Sequence, residues 1–581
     1  MIIRIMLPQY LNIKILEYLL NLSKNRAHIL YFFQKFTLIS KDWNRHIIPK
    51  LSFIRGYYPF SFDNRANVVK LARWSPKLEF QLEGPMKEIP LFNNFVKSMK
   101  NSVTSVVCKE ISSKLFDAFP MIKQITLETF AKQDSGIDNL DIGYYIVSTK
   151  RKLSIIWNGT KPLLNIFWVK DLILDKLTIY RIPDELLEHL KSDTLKHKMG
   201  IEHLYFGSLT SYKDDLTLEK FLERVVHLKS IKFVNIHSNL NNNSIIDALI
   251  QGASINSLEH FELIYEKKIK PLGSTLSLSK LVQFLNSTKK LHTLSLVNLS
   301  IVNDYVTQLS PLPSLTSVTI KHLSGDSKSI LYIFLKQSAI RNLCISNDLI
   351  SDIPELINSQ LIDNLQELVL TLVDFSGNVL PFLSSLLNSN KKNFKRLKFT
   401  YNQKLDYHHQ SKIISFGSLL KDLELNKNLE ELYIDYALME ELTSFLKQNH
   451  PSIKTLEIGK IGDPLWQSDL MEIYTEIRES FEKNHRLENF KIGEYYHFET
   501  ISDDIHLQFI LMQSNRLLTI SLPKRKGTYE YSPGESLRNH LESNQNILSL
   551  DCIPNQLYAN LFLKHMVYYQ RESTLKLGEI N

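Results

Sequence analysis

Six segments of the chain share one arrangement of apolar and polar positions. LNSTKKLHTLSL from Leu285, LELNKNLEELYI from Leu423, LKQNHPSIKTLEI from Leu446, FEKNHRLENFKI from Phe481, LMQSNRLLTISL from Leu511 and LESNQNILSLDC from Leu541 each run from an apolar residue through a polar stretch holding Asn into L-x-x-L-x-L. The apolar triple recurs at Ile122, Leu174, Ile201, Leu228, Leu258, Leu291, Leu315, Ile340, Leu365, Phe394, Leu429, Ile453, Leu487, Leu517 and Ile547, with a looser copy, VTSVVC, at Val103. From Leu174 onward the mean spacing is about 29 residues, within the range of solenoid repeats. In a chain that is 44% hydrophobic such triples also arise by chance, so the flanks decide.

Those flanks have helical period. Leu278, Leu281 and Leu285, then Leu383, Leu386 and Leu387, then Leu438, Leu442, Phe445 and Leu446, and then Leu470, Ile473, Ile477 and Phe481 are spaced by three and four, placing each set along one helix face. The end of each triple alternates with strand period. Asn390, Asn426, Asn449, Asn484, Asn515 and Asn544 follow the helices or apolar stretches in phase, and Asn tolerates the left-handed conformation that ends helices, so they are expected as C-terminal caps. Each repeat is then strand, turn, helix, turn. No single repeat can bury both apolar faces, so stacking must do it, with the strands in one parallel sheet and the helices in a second layer. Helices need about 8 to 10 Å of spacing and strands about 4.8 Å, so the stack is expected to bend with its sheet inside, as a horseshoe.

This pattern resembles the leucine-rich repeat family, in its longer, helix-bearing form, over roughly residues 100 to 570. The expected fold class is therefore α/β, a leucine-rich-repeat solenoid preceded by a small all-α module. The Asn ladder that such repeats carry after the third Leu is missing. Its place is often apolar, as at Ile182, Leu209, Ile236, Leu299 and Leu323, so irregular turns are expected on that side.

With 581 residues the chain exceeds one compact core, and a repeat array accommodates that length. A net charge of +8, from 69 basic and 61 acidic residues, is a weak field at this length and names no nucleic-acid partner. Cys108, Cys344 and Cys552 lie far apart without CxxC spacing, which predicts neither a disulfide framework nor a zinc knuckle, and a reducing compartment, cytoplasmic or nuclear, is expected. No run of 18 apolar residues occurs, so no membrane partner is expected.

The head of the chain has a different pattern. In LPQYLNIKILEYLL, Pro8 suits the first turn of a helix, and Leu11, Ile15 and Leu19 form a stripe with Leu16 beside it. A second run contributes Phe33, Phe36, Leu38, Ile39 and Trp43. Two or three helices in so few residues could scarcely cover this surface alone. The residues resemble an F-box: Leu7, Pro8, Leu11, Ile15, Leu16, Tyr18 and Leu19 match its first part, and Ile39, Ser40, Lys41 and Trp43 its second. Tyr10, Asn12 and a short insertion around Asn21 to His28 depart from the pattern.

The resemblance implies that Leu7, Pro8, Leu11, Ile15, Leu16, Leu19, Phe36, Leu38, Ile39 and Trp43 dock on a Skp-type adaptor and, through it, a cullin-RING ubiquitin ligase. About five buried anchors at ~1.5 to 3 kcal/mol each can outweigh the cost of association. Alternatively, the helices only cap the array, and the chain is a cytosolic leucine-rich scaffold or regulator, for example of a small GTPase. The expected organisation is an F-box-like module at 1–50, a connector and N-terminal cap at 51–100, repeats at 101–570 and a tail at 571–581.

No HExxH, P-loop, GxGxxG, GxSxG or paired-Cys motif occurs, so neither enzymatic activity nor a cofactor is expected. His408-His409 has no carboxylate at ligand spacing, and Lys524-Arg525-Lys526 lacks the interleaved aromatics of a nucleic-acid site. Between the apolar strand positions, the third and fifth places must face away from the helices. They read His203 and Tyr205, then Thr293, Ser295, Ser317 and Thr319, then Arg396, Lys398, Glu431 and Tyr433. Tyr and Arg often carry interface energy, so Tyr205, Arg396, Lys398, Glu431 and Tyr433 are the candidate contacts for a target protein. Solvated strand faces explain the same charges.

Overall fold

A computed structural model of the chain describes residues 46–51, 58–61, 79–83, 93–108, 113–129, 146–157, 169–180, 198–207, 215–234, 241–265, 275–304, 308–326, 329–346, 356–372, 379–401, 416–462, 479–481, 483–495, 519–521 and 549–551, with single positions at 13, 69, 72, 349 and 476. The expected adaptor-docking residues between Leu7 and Trp43 lie outside the described residues, as do His408-His409, Lys524 to Lys526, Cys552, Asn515 and Asn544. The chain divides into two units, Arg4–Leu291 and His292–Asn581 with Met1–Ile3.

The first unit carries strands β1 (Tyr58–Ser61), β2 (Phe80–Glu83), β3 (Val103–Cys108), β4 (Gln124–Thr129), β5 (Lys152–Trp157), β6 (Ile173–Ile179), β7 (Met199–Gly207), β8 (Val225–Val226), β9 (Ser230–Val234), β10 (His260–Ile264) and β11 (Thr275–Ser277). From β1 to β7 each pairs in parallel with its successor, β7 pairs β9, β9 pairs β10, and the short β8 joins the start of β7. Among the described residues the ladder thus begins at Tyr58, well before the first triple. The triples form its buried rows: Leu177, Leu204 and Ile231 lie side by side, then Ile179, Phe206 and Phe233, all at most 1% exposed. Phe206 stacks on Phe233 with centroids 5.0 Å apart. Helix Leu278–Ser287 follows β11, with Ser277 as its N-cap, and its predicted stripe of Leu278, Leu281 and Leu285 is fully buried.

The second unit repeats the scheme with β12 (Thr293–Val297), β13 (Ser300–Val302), β14 (Ser317–Lys321), β15 (Ser324–Gly325), β16 (Asn342–Ser346), β17 (Glu367–Leu372), β18 (Arg396–Tyr401), β19 (Glu431–Leu438), β20 (Thr455–Gly462), β21 (Asn489–Tyr495), β22 (Thr519–Ser521) and β23 (Ser549–Asp551). β12 pairs β14, β14 pairs β16, and from β16 to β23 each strand pairs with the next, always in parallel. Parallel neighbours require a crossover, and helices Ser329–Phe334, Gln360–Asp363, Val379–Asn388, Leu420–Leu425 and Met439–Gln448 lie in those crossovers. Their apolar stripes close the core: Leu383, Leu386 and Leu387 from one helix, and Leu442, Phe445 and Leu446 from another, are at most 1% exposed. This α/β repeat architecture is consistent with a leucine-rich-repeat solenoid.

The expected Asn caps divide into two kinds. Asn390 and Asn449 adopt the left-handed conformation, with φ of 50° and 47°. Asn390 Oδ1 accepts from the Lys427 amide at 2.7 Å, and Asn449 Oδ1 accepts from the His485 amide at 2.9 Å, so each cap also reaches the next repeat. Asn426 departs from the expectation, with an extended backbone at φ −81° and ψ 125°. Its side chain is buried instead: Oδ1 accepts from the Asn428 and Leu429 amides at 3.0 and 2.9 Å, and Nδ2 donates to the Leu387 carbonyl at 2.8 Å. Asn484 repeats this with the Arg486 and Leu487 amides at 3.1 and 3.0 Å and the Leu446 carbonyl at 3.3 Å. An amide supplies both the acceptor that closes the helix-to-strand turn and the donor that satisfies the helix end before it. A polar ladder therefore exists, three residues before the triple.

The turns after the strands also differ from expectation where they are described. Asn298 and His322 both have positive φ, 58° and 52°. Each is followed by a buried leucine, Leu299 or Leu323, and then by the paired short strands β13 and β15. Gly325, at φ 73°, lies where a Cβ would come within 2.4 Å of the Ile301 carbonyl oxygen. These two turns are regular, because a left-handed residue and an apolar plug do the work of the absent Asn ladder.

Candidate functional site: the outward strand face

Because strand side chains alternate, the third and fifth places of each repeat line up across the second unit. Parallel register puts Ser317, Asn342, Glu367, Arg396, Glu431, Thr455 and Asn489 in one row. A second row holds Thr319, Cys344, Val369, Lys398, Tyr433, Glu457 and Lys491. Arg396, Lys398, Glu431 and Tyr433 therefore meet on neighbouring strands, as expected. Tyr205 belongs to the other unit. There it packs edge-on against Tyr180 with centroids 6.3 Å apart, beside Gly207, where a Cβ would approach the Tyr205 ring to 2.8 Å.

The charges of the face are largely engaged with each other. Arg396 Nη1 reaches Glu367 Oε2 at 3.4 Å, and its Nε lies 3.9 Å from Glu431 Oε1. Lys491 pairs with Glu457. These groups are substantially exposed, so each pair contributes little, ~0 to 1 kcal/mol. Lys398 is held differently: its ammonium lies over the Tyr433 ring, 4.1 Å from the centroid. The Tyr433 hydroxyl in turn donates to Asp435 Oδ1 at 3.0 Å. Burial raises the Tyr433 pKa, and the charge and hydrogen bond of Asp435, then the charge of Glu457, raise it further. Tyr433 is therefore a neutral, oriented donor. Asp435 can lie where it does because the neighbouring strand has Gly459 beside it, at which a Cβ would fall 2.6 Å from Asp435 Oδ1.

Toward the start of the unit the face is neutral. Thr293 lies beside Ser317, and Ser295 beside Thr319, with Ser295 only 8% exposed. Cys344 is half-buried on the second row, as its strand position predicts; burial raises its thiol pKa, and Lys321 offsets part of that. For Cys108 only the backbone is described, as the last residue of β3. Among the described residues no group of three or more His, Cys, Asp or Glu could hold a metal ion, and no helix is long and apolar enough to cross a membrane.

Glu367, Glu457 and Lys491 complete the face but were not among the expected contacts. Their signal was present, since they occupy the same third and fifth places in adjacent repeats. Asp435 and Gly459 stand two places further along, at the seventh place of their repeats; Asp435 follows Tyr433 on the same face by alternation, whereas the role of Gly459 is recognisable only from the strand register.

No family model matches the sequence, and no curated protein matches it. Among solved structures, one described as the crystal structure of the Rad7 and Elc1 complex in yeast aligns over 73% of this chain and 90% of that chain. Its sequence identity is 14% and its TM-score 0.32, a likeness that carries no argument about fold or function.

Proposed function

We propose that this chain is a non-enzymatic substrate receptor of a Skp/cullin/F-box ubiquitin ligase, acting in the cytoplasm or nucleus. The F-box-like residues from Leu7 to Trp43 dock on the Skp-type adaptor, and the outward strand face holds a target protein for ubiquitin transfer. The observation that carries this reading is the coincidence, in one chain, of the Leu7-Pro8 start and the Ser40-Lys41-x-Trp43 end with a stacked repeat array. A helical cap needs apolar faces but neither of those signatures. On the face, the Lys398–Tyr433–Asp435 arrangement supports target binding, because an oriented aromatic with a fixed donor and a neighbouring Arg loses little freedom on association. The chemistry belongs to the ligase, and this chain contributes position.

The test is capture of a purified Skp-type adaptor by the purified full chain. The expected result is stoichiometric capture that is lost on changing Leu11 and Ile15 to Asp while the circular dichroism spectrum is unchanged. Absence of capture by the unaltered chain, with the same two changes unfolding it, makes the helices a cap and the protein a leucine-rich scaffold.

A further inference from the structure

The buried ladder before the strands has one rung that is not an amide. His450 stands three residues before Ile453, as Asn426 stands before Leu429 and Asn484 before Leu487. It is 2% exposed. Its Nδ1 accepts from the Ser452 and Ile453 amides at 3.2 and 3.1 Å, and its Nε2 donates to the Leu423 carbonyl at 2.7 Å. These are the same three kinds of partner that the neighbouring asparagines take. The two amides facing Nδ1 leave it no place for a proton, so the ring must be neutral with its hydrogen on Nε2. We propose that His450 is an acid-labile rung: its protonation opens the turn between helix Met439–Gln448 and β20, loosening the repeats beside the Lys398–Tyr433 face, whereas the asparagine rungs do not respond to pH.

The surroundings of the ring favour this switch. It stacks on Phe445, with centroids 6.4 Å apart. The titratable residues on the elements around it are Lys421, Asp422 and Glu424 on the preceding helix, Glu440, Glu441 and Lys447 on its own, Lys427, Glu430 and Lys454 at the strand entries, and Glu476, Glu479, Lys483, His485 and Arg486 on the following helix end and turn. Several are engaged elsewhere: Asp422 accepts from Asn388, Lys447 pairs with Glu476, and Glu430 pairs with Lys395. Burial lowers the His450 pKa, and backbone bonds at Leu423 and Asn426 offset part of that. A folded pKa below the unfolded value means that the unfolded turn binds the proton more readily. Stability from this rung is therefore complete above the unfolded value of about 6.5. It is lost as the pH falls from there through the folded value, by up to about tenfold in the opening equilibrium per pH unit.

The test is hydrogen exchange of the full chain between pH 7.5 and 5.0, corrected for the intrinsic exchange rate, comparing a peptide spanning 446–458 with one spanning 481–492. The expected result is that protection around Ser452 and Ile453 falls as the pH drops below 6.5 while protection around Arg486 and Leu487 holds, and that His450→Asn removes the difference. If His450→Asn does not fold, the comparison of the two peptides in the unaltered chain decides. Equal pH responses of the two peptides, or an acid response that persists in His450→Asn, overturns the proposal.

Discussion

The second unit carries two polar ladders, and they differ in almost everything except their repeat. Asn426, His450 and Asn484 lie in the buried turns before the strands, each satisfying two amides and one carbonyl. Glu367, Arg396, Glu431, Glu457 and Lys491 lie on the strand face in water, where they pair with one another. Both ladders cross from repeat to repeat, so the difference is one of solvent. A buried backbone group that loses its partner has nothing to replace it, whereas an exposed charge that loses its partner is hydrated. Of the two ladders, the one in the turns carries the stability, and the one on the face contributes little to it.

The sharpest way to break this comparison is to remove a buried rung. Asn484→Ala leaves the Arg486 and Leu487 amides without their acceptor, while the Leu446 carbonyl keeps the Asn449 amide, and is expected to cost about 3 kcal/mol in urea denaturation, at ~1 to 3 kcal/mol for each orphaned amide. A smaller effect is expected at a left-handed cap. Asn390→Ala and Asn390→Gly both lose the side-chain bonds to Lys427 and Leu425, but only alanine is also strained at this positive φ, so the alanine variant should cost about 1 to 2 kcal/mol more than the glycine variant. The smallest effect is expected on the face, where Glu431→Gln and Lys491→Met should each change stability by less than about 1 kcal/mol, with that change shrinking in high salt. A face substitution costing as much as a buried rung would mean that the face is structural.

The sequence made the two periods of the fold legible, because a stripe at spacings of three and four and a strand alternation are different demands on burial. The helix Val379–Asn388 and the triple that follows at Phe394, Leu397 and Phe399 are where the pattern placed them. The roles of the asparagines were only half legible. A left-handed cap such as Asn390 and a buried rung such as Asn426 use the same residue at neighbouring places, and only the backbone conformation separates them. His450 was hidden for the opposite reason, since a different residue performs the same hydrogen bonding. On the face, Arg396, Lys398, Glu431 and Tyr433 followed from alternation alone. The bond from Tyr433 to Asp435 lies within one strand, two residues apart on one face, but the room that Gly459 leaves for Asp435 depends on which residues lie opposite each other, and a single repeat does not record that.

The central claim is that docking on the ligase and holding the target use different surfaces of one chain. Calorimetric titration of a purified Skp-type adaptor into two variants tests this most directly: one altered at the face, Lys398→Glu with Tyr433→Ala, and one altered at the head, Leu11→Asp with Ile15→Asp. The account predicts that the face variant binds the adaptor as tightly as the unaltered chain, and that the head variant binds at least about a hundredfold more weakly, a loss of roughly 2.7 kcal/mol. Equal binding by the head variant and the unaltered chain, or loss of the adaptor by the face variant, would contradict it.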